Sequence, residues 1–319
     1  KEAMLGGVLP QDLFLVFAST MAVALFVLAC AAWLFQREEI MLADEPVLPL
    51  SWRRDAYPPR DFLSASHALG IFGGVMVLIF YVGSLLQAYW PLPGLLLTEW
   101  ILVLVPVLGV LWLVRADFRA VLGWHPARLS AYVAAVFLGV GAFLATASFG
   151  ALQERFLPIP EAYREAFQFF FTAGRDPVSY VWLFLVVALS PALCEEVLFR
   201  GVLLRGFAGR FPAWAAVLVV SFLFGLFHLS IFRFLPTALL GIPLAYIALR
   251  SGSVFPAMLA HALVNALALA FSLRMMPEPV SLWFFPAGPE VSQVSVGALI
   301  LGAGLLPLGI ALLEKGRRA

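Results

Sequence analysis

The sequence predicts an all-α polytopic membrane protein with about nine transmembrane helices, and three observations carry that prediction. Of its 319 residues, 63% are hydrophobic and 12% charged, whereas soluble domains are roughly half apolar and about a quarter charged. Mean hydropathy is +0.98. The apolar residues gather in runs near the length of about 20 residues that a helix needs to cross roughly 30 Å of hydrocarbon. The basic residues, finally, concentrate in alternate connections between those runs.

The first run, 12–35, has little positive charge before it and no small-residue cleavage site, so it reads as a retained helix. Residues 36–66, which include PVLPLSWRRDAYPPRDF, are proline-rich and charged and read as a linker. The expected domains are therefore 1–66 and an intramembrane domain over 67–319. Within the latter the predicted spans are 67–90, 94–114, 130–152, 179–203, 213–231, 235–250, 255–273 and 292–313. The run 235–250 is short and holds Gly241 and Pro243. The run 179–203 has the sequence to continue as helix as far as Phe207. Between the fourth and fifth of the nine runs, EAYREAFQFFF has polar positions at Glu161, Arg164, Glu165 and Gln168. That spacing suits an amphipathic helix in the interface, and suits an ordinary connecting helix equally well. With the N-terminus outside, thirteen basic residues fall in cytoplasmic loops or ends and six on the other side. This is the asymmetry expected of nine crossings with the C-terminus inside. No internal repeat is evident, which argues against a transporter built from inverted repeats.

A net charge of +1 without a basic tract gives no reason to expect nucleic acid. Cys30 and Cys194 lie inside apolar runs and read as packing residues, not as a disulfide framework. Arginine is far commoner than lysine, which occurs only at Lys1 and Lys315, and alanine is abundant. That usage points to a bacterial source and hence to a bacterial cytoplasmic membrane.

One segment resists the picture of plain apolar spans. LSPALCEEVLFRG, from Leu189 to Gly201, places Glu195, Glu196 and Arg200 in the fifth run. An acidic residue at a helix centre costs about 2.5–3.5 kcal/mol on insertion scales. Glu196 and Arg200 are four residues apart and can pair on one face. Glu195 lies about 100° around the helix, and a salt-bridged pair does not account for it. His228 lies late in the run 213–231. His261 and Asn265, the only asparagine of the chain, share a face of the run 255–273. His67 and His125 sit at the interface and in a loop, and neither is given a role. Depth along the helices puts Glu195 in the cytoplasmic half of its span and His261 about 10 Å from the cytoplasmic end of its own. The same reckoning sets His228 nearer the opposite side.

A carboxylate, two imidazoles and a carboxamide in a dry pocket can hydrolyse an amide. Glu195 would take a proton from the attacking water, His228 would hold that water or share the proton, and His261 and Asn265 would donate to the oxyanion. Glu195, His228 and His261 are also a plausible zinc triad, although HExxH is absent, as are a G-x-G-D aspartate motif and a rhomboid-like G-x-S.

E-E-x-x-x-R at Glu195, Glu196 and Arg200, F-x-x-x-H at Phe224 and His228, and H-x-x-x-N at His261 and Asn265 resemble, in order and spacing, the three motifs of the CPBP family. These are the CAAX-protease and bacteriocin-processing (Abi) intramembrane endopeptidases. The motif-bearing part covers about 178–273. The resemblance implies an eight-helix core over roughly 67–313, with the first helix and its linker as additions. It implies an endopeptidase in which Glu195 activates water, His228, His261 and Asn265 position water and stabilise the oxyanion, and Glu196, Arg200 and Phe224 support them. It favours a mechanism without a metal; zinc on Glu195, His228 and His261 is the alternative. The partners implied are a membrane-associated protein or peptide substrate and the bilayer. The competing readings are a scaffold or bacteriocin-immunity protein that keeps the fold without catalysis, and a proton-coupled transporter.

Overall fold

The computed structural model describes residues 51–161, 163–164, 177–286 and 294–318. The chain divides after Leu50 into two units, and all described residues lie in the second. The expected helix at 12–35 and most of the EAYREAFQFFF segment fall outside them.

Besides a 3-10 turn at Arg54–Ala56, ten helices are described. They are α1 (Ala65–Tyr89), α2 (Pro91–Leu113), α3 (Phe118–Leu122), α4 (Leu129–Phe156), α5 (Val178–Ala208), α6 (Ala213–Phe227), α7 (Ile231–Ser251), α8 (Phe255–Ser272), α9 (Glu278–Phe284) and α10 (Val296–Arg318). Seven of them, namely α1, α2, α4, α5, α7, α8 and α10, are long and apolar enough to cross a membrane. The fold is an all-α polytopic membrane fold, with no strand among the described residues. The prediction is corrected at one place. The run 213–231 yields only the 15 residues of α6, about 22 Å of helix, because His228 caps it and Leu229 turns the chain with φ +48°.

α5 is the most buried of the seven spans and α10 the least, so the segment richest in charge runs through the middle of the protein. α4 is the other central element and packs against α7, α8 and α10. α6 and α7 pack along each other at two glycines. A methyl group on Gly225 would lie 2.5 Å from the Phe234 carbonyl oxygen, and one on Gly241 would lie 2.8 Å from Ser221 Cα. Hydrogen at those positions is what lets the backbones approach.

α5 is not a regular helix. Its turns widen to π geometry over Phe184–Leu189 and again over Val197–Leu203, on either side of Ser190–Glu196. Pro191 follows the first wide turn. Proline lacks the N–H that a regular turn requires and clashes with the carbonyl four residues back, and a π turn relieves both.

The end of α5 nearest Ala208 is tied down at a single arginine. Arg205 Nη2 donates to the carbonyl of Gly252, which ends α7 with φ +73°, and lies against Gly123, which ends α3 with φ +62°. Both glycines occupy left-handed backbone that side chains disfavour. From this tie, Glu196 is nine residues back along α5 and His261 nine residues forward along the path into α8. Both therefore lie at a similar distance from the tie.

Candidate active site

Glu196 is completely buried, and its Oε1 accepts two hydrogen bonds: 2.8 Å from Arg200 Nη1 and 2.9 Å from His261 Nδ1. Arg200, also fully buried, donates through Nη2 to the Gly241 carbonyl at 3.2 Å and lies 4.5 Å from the centre of the Phe224 ring. The i,i+4 pair expected from sequence is thus present. It is held from three helices, α5, α7 and α8, and by a cation–π contact from α6. Glu196 Oε2 and Arg200 Nε are buried without partners, so the pair is not fully satisfied, and its stability rests on the bonds named.

Glu195 does something different. Its side chain is buried, its Oε2 has no hydrogen-bond partner, and that oxygen lies 3.9 Å from His261 Nε2. The separation is too long for a hydrogen bond and of a size that one water can bridge. The two adjacent glutamates therefore divide their duties. Glu196 is occupied by structure, and Glu195 faces a cavity of about 430 Å³.

That cavity is lined by Glu195, His228, His261 and Asn265, and Phe224 completes the wall behind the two imidazoles. The Phe224 ring meets His228 edge-on at 5.2 Å and His261 at 5.6 Å between ring centres. The four residues expected to be catalytic from sequence thus share one space. The mismatch expected in the depth of His228 does not occur. α5 runs on to Ala208 and α6 begins at Ala213, so Glu195 and His228 lie thirteen and fifteen residues from the turn that joins them, about 20 and 22 Å.

The hydrogen bonds fix the proton on each imidazole. His228 Nδ1 is 2.9 Å from the Phe224 carbonyl oxygen; a carbonyl only accepts, so Nδ1 carries hydrogen and Nε2 of the neutral ring offers a lone pair. His261 Nδ1 likewise donates to Glu196 and turns Nε2 toward Glu195.

The metal alternative fits less well. Among the described residues, no three His, Cys, Asp or Glu side chains are gathered as a metal ion would require.

The motif-based reading passed over Glu99. It lies in a π-widened stretch of α2, Thr98–Leu104, that packs against Ser190–Glu196. It is buried, lines the same cavity, and has an Oε2 without a hydrogen-bond partner. The signal was available: Glu99 is an acidic residue in the apolar run PLPGLLLTEWILVLV, the same anomaly that singled out Glu195. It belongs to no spaced pair, so a search for spacing does not find it.

A membrane-embedded site of this composition fits the class of membrane peptide hydrolases. Residues 177–267 match the family model described as type II CAAX prenyl endopeptidase Rce1-like, a segment that holds all three motifs. The match bears out the resemblance read from those motifs and, at the level of family, supports a membrane endopeptidase. No curated protein and no solved structure gives a significant match.

Proposed function

We propose that the chain is an intramembrane endopeptidase that hydrolyses a peptide bond of a membrane-associated protein or peptide with water activated by Glu195. The observation that carries the reading is the unpartnered carboxylate oxygen of Glu195, buried in a cavity beside two histidines and an asparagine.

In this mechanism the water sits between Glu195 Oε2 and the histidine nitrogens. Glu195 takes its proton as the oxygen attacks the carbonyl carbon, and His228 Nε2 orients the water by accepting its second hydrogen. The Asn265 amide donates to the oxyanion. His261 joins it as a donor when both its nitrogens carry hydrogen, a charge that the oxyanion offsets. Collapse of the tetrahedral intermediate breaks the C–N bond, and the proton held by Glu195 passes to the leaving nitrogen. Arg200 and Phe224 act through Glu196 and the histidines as positioning residues. No metal takes part. The protein sits in a bacterial cytoplasmic membrane with its N-terminus outside and its C-terminus inside, a placement supported by residue usage and loop charge.

The test is a comparison of protein N-termini in host membranes carrying the native chain or Glu195→Gln at matched levels. Termini that arise only with the native chain are expected. Identical termini would overturn the proteolytic reading and favour a scaffold that binds without cutting.

A further inference from the structure

The mechanism above leaves Glu99 unused, and its surroundings say what it lacks. Its side chain is only 4% exposed. Two polar neighbours on the cavity wall bond to other groups and not to Glu99 Oε2: Thr98 Oγ1 donates to the Gly94 carbonyl at 2.7 Å, and Gln87 Nε2 donates to Thr98 Oγ1 at 3.2 Å. Arg233, on α7, is the single arginine or lysine among the described residues lining the cavity. It shares that lining with Glu99 and Glu195.

With His261 neutral, the formal charges of the described residues at the site do not balance. Glu196 and Arg200 cancel one another. Glu99 and Glu195 then place two carboxylates against the one guanidinium of Arg233. Water can solvate the surplus while the cavity is empty of substrate. A peptide entering it displaces that water, and a carboxylate left buried without a partner is strongly disfavoured. The arrangement is tolerable during turnover when the substrate itself brings a cation.

We propose that Glu99 is a specificity-determining residue that receives a lysine or arginine side chain of the substrate, within two residues of the bond that is cut. This rests on the endopeptidase reading and names the substrate chemistry of that site. The short distance follows from packing. Glu99 and Glu195 lie on segments in direct contact and line one cavity, so a side chain bound at Glu99 belongs to a residue near the attacked carbonyl. Each extended residue spans only about 3.3–3.6 Å.

Profiling of protein termini in membranes from cells carrying the native chain, Glu99→Gln, Glu99→Asp or Glu195→Gln tests it. Sites that depend on Glu195 are expected to carry Lys or Arg within two residues of the cut. Glu99→Gln is expected to lower cleavage at such sites by roughly tenfold or more relative to sites without a basic residue, the scale of losing one partner of a buried charge pair. Glu99→Asp, which keeps the carboxylate, is expected to retain the preference. A loss shared equally by all sites in Glu99→Gln, or Glu195-dependent sites with no basic residue nearby, would overturn the proposal and leave the endopeptidase reading standing. No Glu195-dependent terminus at all would overturn both.

Discussion

Replacing Arg200 by methionine removes one guanidinium from three contacts at once: the 2.8 Å bond to Glu196, the 3.2 Å bond to the Gly241 carbonyl and the stacking over Phe224. Methionine fills much of the same space, so the dominant effect is electrostatic. Glu196 stays completely buried with His261 Nδ1 as its remaining donor. Breaking a buried pair from one side costs about 3–5 kcal/mol, since it strands a charge. Glu196→Leu strands Arg200 with only the Gly241 carbonyl and costs about the same. The double replacement strands neither charge; it leaves His261 Nδ1 without its acceptor, a loss of about 1–3 kcal/mol. The two single effects together therefore exceed the double by several kcal/mol. Equilibrium unfolding of the four proteins in mixed micelles, analysed as a double-mutant cycle, measures this. Single losses below about 1 kcal/mol that simply add in the double would refute the assignment of Glu196 to structure.

Three further outcomes are expected. Asn265→Ala, at a partly exposed position on the cavity wall, is expected to lower kcat by about 10²–10³-fold, as for other lost oxyanion donors, with little change in unfolding midpoint. A raised KM at constant kcat would instead make Asn265 a binding residue. Gly225→Ala places a methyl 2.5 Å from the Phe234 carbonyl oxygen, so α6 must shift against α7, and His228 three residues later shifts with it. A stability loss of about 1–3 kcal/mol should accompany a fall in cleavage of up to about a hundredfold, read by unfolding and cleavage assays on one preparation; unchanged cleavage would show that the α6–α7 approach does not set the site. Finally, protein purified in a chelator and assayed by metal analysis is expected to cut normally with less than one zinc per chain. Cleavage that disappears with the metal and returns with zinc would reverse that expectation.

Much of this architecture was legible because hydrocarbon imposes simple rules. Eight apolar runs between 67 and 313 became the helices α1, α2, α4, α5, α6, α7, α8 and α10, most with ends moved by a few residues. Ends moved where local chemistry intervened. α6 stopped early because His228 caps it and Leu229 adopts a left-handed turn. α7 extended to Ile231 despite Pro236 and Pro243 inside it. The Glu196–Arg200 pair followed from i,i+4 spacing, and the convergence of Glu195, His228, His261 and Asn265 followed from the cost of polar groups in lipid. What spacing does not encode is which group faces which. The bond from His261 to Glu196 and the stacking of Arg200 on Phe224 depend on the wide turns of α5, and those alter rotation around the helix without leaving a repeat in the sequence. Glu99 escaped for a related reason, since its partner in the site is the cavity and not a neighbour at fixed offset.

The central claim is the division of labour between adjacent glutamates, and Glu195→Gln tests it most directly when cleavage and stability are measured on the same purified protein. Glu195 Oε2 has no partner to lose, so an amide of the same shape removes a buried charge without breaking a bond. The account predicts that cleavage disappears while the unfolding midpoint stays level or rises. Retained cleavage, or a protein that unfolds as readily as Arg200→Met, would contradict it.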